Sequence, residues 1–311
     1  MVNISYTQSS NLDNLLKKIE IFRREILLRV ISPEDELRYR WDSTVERVFW
    51  SIALSDTPLM RNEISKIIKE AQPNPLSPTQ RVALSYKRAL DHIYHDWLST
   101  KKQVNLKNVV SLNQMVSGEK LNIKAEDLRN SLAYFQTSNE HPVIQAGLIH
   151  YQIFALSPSV NRNTRFSSLL SYLFLYKEGY DFRGLLVIDE YFRRNFTDYQ
   201  LILGEAVSRG AQTIWLEFFA KAIHNNLEKA LENIRTDHTR LAIPSSIVGL
   251  NQRQKEILTH LEIPSTTITN RAVQKMFGIS QITASRDLAK LATLLLIFAH
   301  GKGRSVYYTR V

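Results

Sequence analysis

A polar loop between two apolar helical segments is the feature that most constrains this chain. Residues 144–154 and 169–174 carry large apolar side chains at helical spacing, and both segments are predicted to be buried helices. The residues between them begin with Ser157-Pro158 and are rich in Asn and Arg. A polar loop that opens a buried helix directs backbone N–H groups and a positive helix end at whatever lies above it. The pattern therefore predicts an anion site inside a helical body.

Residues 157–168 resemble the signature of the Fic (filamentation induced by cAMP) family, whose members mostly transfer AMP from ATP to a protein hydroxyl. The matching residues are Pro158, Asn163 and Arg165. The departures are Ser157 for the catalytic His, Asn161 for the metal-binding acid, Arg162 for the first Gly and Ser168 for the last Arg. The resemblance implies that the family's framework is retained and that its catalytic groups are largely lost.

The residue chemistry leads to the same expectation. A general base near pH 7 is most easily a His, and Ser157 has no partner in this segment that would lower its pKa. Asn161 offers a neutral carbonyl where Mg²⁺ prefers a carboxylate. We therefore expect no catalytic residue and no metal site. Two roles remain open for Asn163 and Arg165. They bind a nucleotide or another anion together with Arg162, ATP being one candidate, or Asn163 caps the helix and Arg165 pairs with an acid.

A second degenerate motif is found in residues 49–64. Many Fic proteins carry a regulatory helix here, with the pattern Ser/Thr-any-any-any-Glu, whose Glu pairs with the last Arg of the signature. This chain keeps Ser51 but has Ser55 at the Glu position, and Ser168 replaces the partner Arg. Loss of both partners is physically coherent, because loss of one alone would leave a buried charge unpaired. The segment 117–123, where active relatives have a β-hairpin that docks the target, is short for two paired strands.

The composition and the sequence pattern predict the domain organisation. The chain has 311 residues and no cysteine, and its first 13 residues lack the apolar core of a signal peptide. No apolar run is long enough to span a membrane, so we expect a cytoplasmic protein. We predict a mostly α protein in three parts: an N-terminal helical region (1–105), a Fic-like core (106–240) and a small C-terminal winged helix-turn-helix domain with a β-hairpin wing (246–311).

The C-terminal prediction comes from three helical patterns and a glycine-rich hairpin. Helices are predicted near 250–258, 269–277 and 281–291, with Ser280 capping the third and Ile282, Leu288 and Leu291 facing the core. Strands are predicted at 296–299 and 305–309. The block resembles the winged helix that ends many Fic proteins.

Charge favours a polyanionic partner for this block. Residues 246–311 contain nine basic and three acidic residues, a net +6 out of +10 for the chain. The predicted DNA contacts are Ser280, Gln281, Thr283, Ser285, Arg286 and Lys290 on the third helix, and Lys302 and Arg304 on the wing. The alternative for such a module is protein docking.

Two hypotheses follow for function. In the first, the chain is a catalytically inactive Fic-like regulatory protein that binds double-stranded DNA through its winged helix, and its body is a scaffold, a homodimerisation unit or a nucleotide sensor. In the second, it is a protein adenylyltransferase, or a transferase of another phosphate moiety, that uses an atypical active site.

Overall fold

The computed structural model describes residues 4–55, 59–69, 75–117, 121–156, 160–236, 249–261, 266–294, 296–301 and 303–310. These residues are mostly helical, and the strands found among them all lie in the C-terminal part. The predicted fold class, a helical body with a small C-terminal α-plus-hairpin unit, is confirmed. No helix in the described part of the chain is both long and apolar enough to cross a bilayer.

Fourteen α-helices are found among the described residues. In the first part of the chain they are α1 (Ser10–Leu28), α2 (Pro33–Ser55), α3 (Arg61–Lys69), α4 (Pro78–Trp97), α5 (Leu106–Ser117) and α6 (Ala125–Thr137). Then come α7 (Pro142–Leu156), α8 (Val160–Lys177), α9 (Ile188–Arg194), α10 (Phe196–Arg209) and α11 (Gln212–Thr236). The last three are α12 (Gln252–His260), α13 (Asn270–Phe277) and α14 (Gln281–Thr293).

The chain forms two compact units. The larger contains residues 1–29 and 43–238, and the smaller contains residues 30–42 and 239–311. The first residues of α2 therefore belong with the C-terminal unit, although they lie more than 200 residues away from it in sequence. The division is set by which apolar side chains share a core rather than by order along the chain.

Helices α7 and α8 occupy the centre of the larger unit. From Val143 to Phe154 every residue of α7 is buried, and α8 is buried almost without interruption from Phe166 to Tyr176. A helix that is apolar all round must be covered on every side, which α7 achieves by packing against α6, α8, α10 and α11. Helix α7 ends at Leu156 and α8 begins at Val160, so this buried helix pair flanks residues 157–159 in sequence.

The smaller unit combines α12, α13 and α14 with a three-stranded antiparallel sheet. Its strands are β1 (Ile268–Thr269), β2 (Phe298–His300) and β3 (Tyr307–Thr309), in the order β1-β3-β2. The two predicted strands are present but shorter and shifted, and β1 was not predicted. Ser280 caps α14 as expected, since its hydroxyl accepts a hydrogen bond from the Thr283 N–H at 3.2 Å. This order of elements is the one that a winged helix-turn-helix requires.

One core assignment in this unit was wrong. Ile282 was expected to face the core, but 65% of its surface is exposed, whereas Leu288 and Leu291 are fully buried. Ile282 lies in the first turn of α14, and the inward positions of that turn are taken by Ala284 and then Asp287. Helical periodicity placed the apolar stripe correctly farther along the helix and failed at its first turn.

The first residues of α2 complete the core of the smaller unit. Leu37 is 5% exposed and belongs to the same apolar cluster as Ile257, Leu288 and Leu291. Ion pairs accompany this packing, since Lys255 lies 2.6 Å from Glu34 and Arg310 lies 3.6 Å from Glu36. The unit therefore depends on a segment that the sequence places far from it.

Candidate functional site

The segment 157–168 lies at the junction of α7 and α8. Ser157, at the position of the family's catalytic His, is outside the described residues. Asn163 lies inside α8, which begins at Val160, so the expectation that Asn163 caps this helix is wrong. The side chains of Arg162 and Asn163 are outside what the structure describes, and Arg165 is half-buried. Their assignment to nucleotide or anion binding stays a prediction.

Thr164, the next residue of the segment, is buried and hydrogen-bonded to the Tyr199 hydroxyl of α10. That hydroxyl lies 2.9 Å from Nε2 of His150 on α7, and Nδ1 of His150 lies 3.2 Å from Oγ of Ser171 on α8. Oγ of Ser171 in turn donates to the carbonyl oxygen of Ala146 at 3.1 Å. Because Ser171 donates its only hydroxyl proton to Ala146, Nδ1 of His150 must be the donor to Ser171. Because Thr164 donates to Tyr199, the Tyr199 hydroxyl donates in turn to Nε2, which carries no proton. Thr164 thus serves the framework of the helix pair.

His150 does not replace the missing catalytic base. Its side chain is fully buried among aromatic rings, with the Phe154 ring stacked at 5.6 Å and the Trp215 ring at 5.1 Å. Burial lowers the pKa of His150 to about 3, so the imidazole is neutral at physiological pH. Both ring nitrogens face hydroxyl groups of the protein, and the group has no access to a substrate.

Ser168, which the sequence resemblance aligned with the last Arg of the Fic signature, is hydrogen-bonded to a buried acid. Its hydroxyl donates to Oδ1 of Asp189 on α9 at 2.5 Å, and the Tyr86 hydroxyl of α4 donates to Oδ2 at 3.3 Å. Ser51 on α2 lies beside the Tyr86 hydroxyl and lowers its pKa, against the larger opposing effect of burial. Ser51, Tyr86, Asp189 and Ser168 therefore lie in one buried polar cluster, in which Tyr86 and Ser168 donate to the carboxyl group of Asp189. The side chain of Ser55 lies outside the described residues.

The carboxyl group of Asp189 is fully buried. Burial raises the pKa of Asp189 to about 6, against the opposing effects of the hydrogen bonds from Ser168 and Tyr86 and the positive charge of Arg47. Burial also raises the pKa of the Tyr86 hydroxyl, which remains a donor. Asp189 is therefore a titratable group enclosed in the larger unit and hydrogen-bonded to Ser168 and Tyr86.

Replacement of Asp189 by Asn should flatten the pH dependence of stability between about pH 4 and pH 6. A folded-state pKa of about 6, raised from 3.8, means that the folded protein holds a proton that the unfolded chain has released. Its contribution is complete below about pH 4 and is lost as the pH rises through 6, by about 3 kcal/mol in all. Denaturant unfolding of the parent and of Asp189→Asn between about pH 4 and pH 6 measures this change in the free energy of unfolding. The exposed Asp198→Asn is the matched control, and parallel curves for the parent and Asp189→Asn would contradict the assignment.

The described residues around the segment offer little to hold a magnesium ion. No group of three or more His, Asp or Glu residues in the described part of the chain could hold a metal ion. The carboxyl group that accepts a hydrogen bond from Ser168, the last residue of the segment, is Asp189 on α9. It is fully buried and already accepts two hydrogen bonds. We derive no reaction step through a nucleotide at this loop.

A second candidate site is the first half of α14. Gln281, Ser285 and Arg286 are exposed, and Thr283 is half-buried. Oγ of Ser285 accepts a hydrogen bond from the Asn270 amide at 2.8 Å, and the ammonium group of Lys290 donates to the Gly249 carbonyl. Among the described residues, Gln281 and Arg286 keep their side-chain groups free of such partners. Lys302 lies outside the described residues, and so does the side chain of Arg304.

A buried carboxylate fixes α14 against α12. Oδ1 of Asp287 accepts hydrogen bonds from the side chains of Gln254 at 2.7 Å and Asn251 at 3.1 Å, and Oδ2 accepts from Nε of Arg253 at 2.9 Å. These bonds outweigh burial and hold the pKa of Asp287 below its ordinary value. Three partners from one turn of α12 hold the exposed face of α14 in a single orientation.

Sequence reasoning missed the buried polar residues that organise the body. Asp189, Glu190 and His150 were not among the candidate functional residues predicted from the sequence. One signal was available: a charged or imidazole side chain in an otherwise apolar helical stretch requires a buried partner. The identity of that partner depends on helices that are distant in sequence, such as α4 for Asp189 and α10 for His150.

The architecture defines the class of protein to which the chain is similar: it has a Fic-like fold. A Fic family protein from Desulfovibrio desulfuricans G20 superposes with a TM-score of 0.63 at 17% sequence identity, over 99% of this chain and 98% of that one. A fragment of Fic-1 from C. elegans gives 0.60 at 16% identity, over 71% of each chain. No protein-family model matches the sequence, and no curated protein does.

A third structure matches part of this chain. A Fic domain-containing signaling protein from Bacteroides thetaiotaomicron VPI-5482 gives a TM-score of 0.56 at 16% identity, with 75% of this chain matched to the whole of that one. At these identities the likeness establishes the fold alone, because helical packing is conserved long after side-chain chemistry has changed.

Proposed function

We propose that this chain is a regulatory protein that binds double-stranded DNA through its smaller unit and whose Fic-like body does not transfer AMP. The observation that carries the first part is the exposed polar and basic face of α14, presented at a capped helix start within a unit of strong positive charge. A helix that enters the major groove contacts base edges through the residues of its first turns.

The assigned roles follow from side-chain chemistry and exposure. Gln281 offers an amide donor and acceptor for a base edge, and Arg286 matches guanine or a phosphate. Ser280, Thr283, Ser285 and Lys290 surround them, and we assign Lys302 and Arg304 on the wing to the phosphate backbone. The exposed Ile282 adds an apolar contact suited to a thymine methyl group. The same face would serve to dock an acidic protein. A mobility-shift measurement with duplex DNA separates DNA binding from protein docking.

Duplex binding should be strongly salt dependent. A mobility shift on a duplex library at several salt concentrations is expected to give a log–log slope of roughly −4 to −5, as for about 4–6 neutralised phosphates. Arg286→Ala should weaken binding about tenfold, since it removes a charged contact. Arg24→Ala, which removes an exposed Arg from α1 of the larger unit, should leave binding unchanged. Absence of a shift even at low salt would refute the proposal.

The second part, absence of transfer, rests on the side chains at the junction of α7 and α8. Thr164 and Ser168 are buried in framework hydrogen bonds, and His150 is enclosed and neutral. Incubation with labelled ATP and Mg²⁺, alone and in a lysate, tests this directly. No label should reach any protein. Labelling that is abolished by Arg165→Ala would establish instead that the chain is an adenylyltransferase with an atypical site.

A further inference from the structure

A basic cleft lies between the last turn of α9 and one face of α11, entirely within the larger unit. Its volume is about 590 Å³, which is within the range of small-molecule sites. None of the described residues of segment 157–168 lines it.

The charges of the cleft are arranged around one buried acid. Glu190, whose side chain is 8% exposed, accepts hydrogen bonds from Nζ of Lys229 at 2.5 Å and Nε of Arg194 at 2.9 Å. Burial opposes ionisation of this carboxyl, but Lys229 and then Arg194 lower the pKa of Glu190 below its ordinary value. Glu190 thus holds two cations in place at the wall of the cleft, and Lys221 adds a third positive charge.

Lys221 and Lys229 lie on the same face of α11, two helical turns apart, with Asn225 between them. Lys221 is exposed and has no ion pair among the described residues. Three cations against one carboxylate leave a net charge of +2 in the cleft. That is the complement of a dianion.

Hydrogen-bond capacity points the same way. Oδ1 of Asn226 accepts from the Val187 N–H at 2.7 Å, and Oδ1 of Asn225 lies 3.1 Å from Nδ1 of His224. The carbonyl groups of both amides are therefore occupied, and their NH₂ groups remain as donors. A cleft with cations and amide donors, whose acceptors are largely used within the protein, selects an acceptor-rich anion.

The size of the cleft and an aromatic wall indicate an organic body on that anion. The half-buried Tyr191 ring packs against Phe218 with ring centroids 5.4 Å apart and forms a rigid surface. We propose that the cleft formed by α9 and α11 binds a small phosphomonoester, with the phosphate at Lys221 and Lys229 and its organic body against Tyr191. A phosphomonoester carries close to two negative charges at pH 7. Inorganic phosphate alone would leave most of the volume unfilled.

Phenyl phosphate is the probe for this proposal, because it combines the dianion with a ring that suits Tyr191. Calorimetric titration of the full chain should give saturable one-to-one binding that is tighter than that of inorganic phosphate. Lys221→Gln should weaken it about tenfold, as expected for loss of one charge-assisted contact. Lys107→Gln, at an exposed Lys of α5, a helix that packs against α4, α6 and α8, is the matched control and should bind as the parent does.

Three outcomes would overturn the proposal: no saturable binding up to millimolar probe, equal affinity of the parent and Lys221→Gln, or equal affinity for phenyl phosphate and inorganic phosphate. The last would indicate general anion attraction without a site. Arg286→Ala should bind phenyl phosphate as the parent does. The cleft and the DNA-binding proposal can therefore fail independently.

Discussion

Acidification from about pH 6.5 to about pH 3 is expected to lower the unfolding free energy by about 5 kcal/mol through His150 alone. The folded-state pKa of about 3 lies far below the 6.5 of an exposed imidazole. The unfolded chain therefore binds a proton that the folded chain excludes. This contribution to stability is complete above about pH 6.5 and is lost as the pH falls towards 3, at about 1.4 kcal/mol per pH unit.

The physical cause is the surroundings of the ring. His150 is buried among Phe154, Trp215 and other aromatic side chains, with no carboxylate beside it in the described part of the chain to stabilise an imidazolium. Protonation at Nε2 would also remove the acceptor that the Tyr199 hydroxyl uses. Protonation of the folded state is opposed by both desolvation and the loss of a hydrogen bond.

Denaturant unfolding from pH 7 to pH 3.5, followed by circular dichroism, measures the effect. His150→Gln should be less stable than the parent at pH 7, because it disturbs a close-packed site, but its stability should fall much less with acidification. His95→Gln removes an exposed imidazole from α4, and its curve should run parallel to that of the parent. If the His150→Gln curve ran parallel to the parent as well, the enclosed neutral imidazole would be ruled out.

Replacement of Arg47 by Met is expected to cost about 3–5 kcal/mol of stability at pH 7. The Arg47 side chain is buried, and its guanidinium group donates to the Tyr176 hydroxyl at 2.5 Å, the Gly184 carbonyl at 3.2 Å and the Thr44 hydroxyl at 3.2 Å. Its positive charge also lowers the pKa of the buried Asp189. The variant leaves that carboxylate without its compensating cation and the Gly184 carbonyl without a donor.

The cost should depend on pH in a way that identifies Asp189 as the partner. Below about pH 5 Asp189 is protonated in the folded state, so loss of the Arg47 charge should cost less than it does at pH 7. The double variant Arg47→Met with Asp189→Asn should lose less than the sum of the two single variants, with a coupling of about 0.5–3 kcal/mol. Arg24→Met, at an exposed position of α1, should change stability by no more than about 0.5 kcal/mol. Additive effects of Arg47→Met and Asp189→Asn would refute the coupling.

Ser51 and Ser168, which the sequence resemblance aligned with two motif positions, lie in one buried polar cluster of the larger unit. Ser168 and Tyr86 donate to the carboxyl group of Asp189, and Ser51 lies beside the Tyr86 hydroxyl. These small polar side chains accommodate the buried carboxyl without adding another charge to the interior.

The helical patterns predicted many elements because local periodicity decides them. Residues 144–154 are apolar at helical spacing, and α7 is buried from Val143 to Phe154. The cap at Ser280 was predicted from short-range chemistry and is found at that residue. The errors fell where local rules conflict with packing. Asn163 lies inside α8 rather than at its start, and Ile282 is exposed in the first turn of α14.

What the sequence determined by itself was the helical body, the C-terminal helices with their hairpin, the excess of positive charge there, and the absence of a His and an acid from the segment 157–168. Only the tertiary structure decided that residues 30–42 belong to the C-terminal unit, that His150 is paired with Tyr199, and that Asp189 joins Ser168 to Tyr86. The physical reason is the separation along the chain over which each kind of interaction acts. Periodicity and capping act within a few residues, whereas a buried polar group is satisfied by whichever distant helix packs beside it.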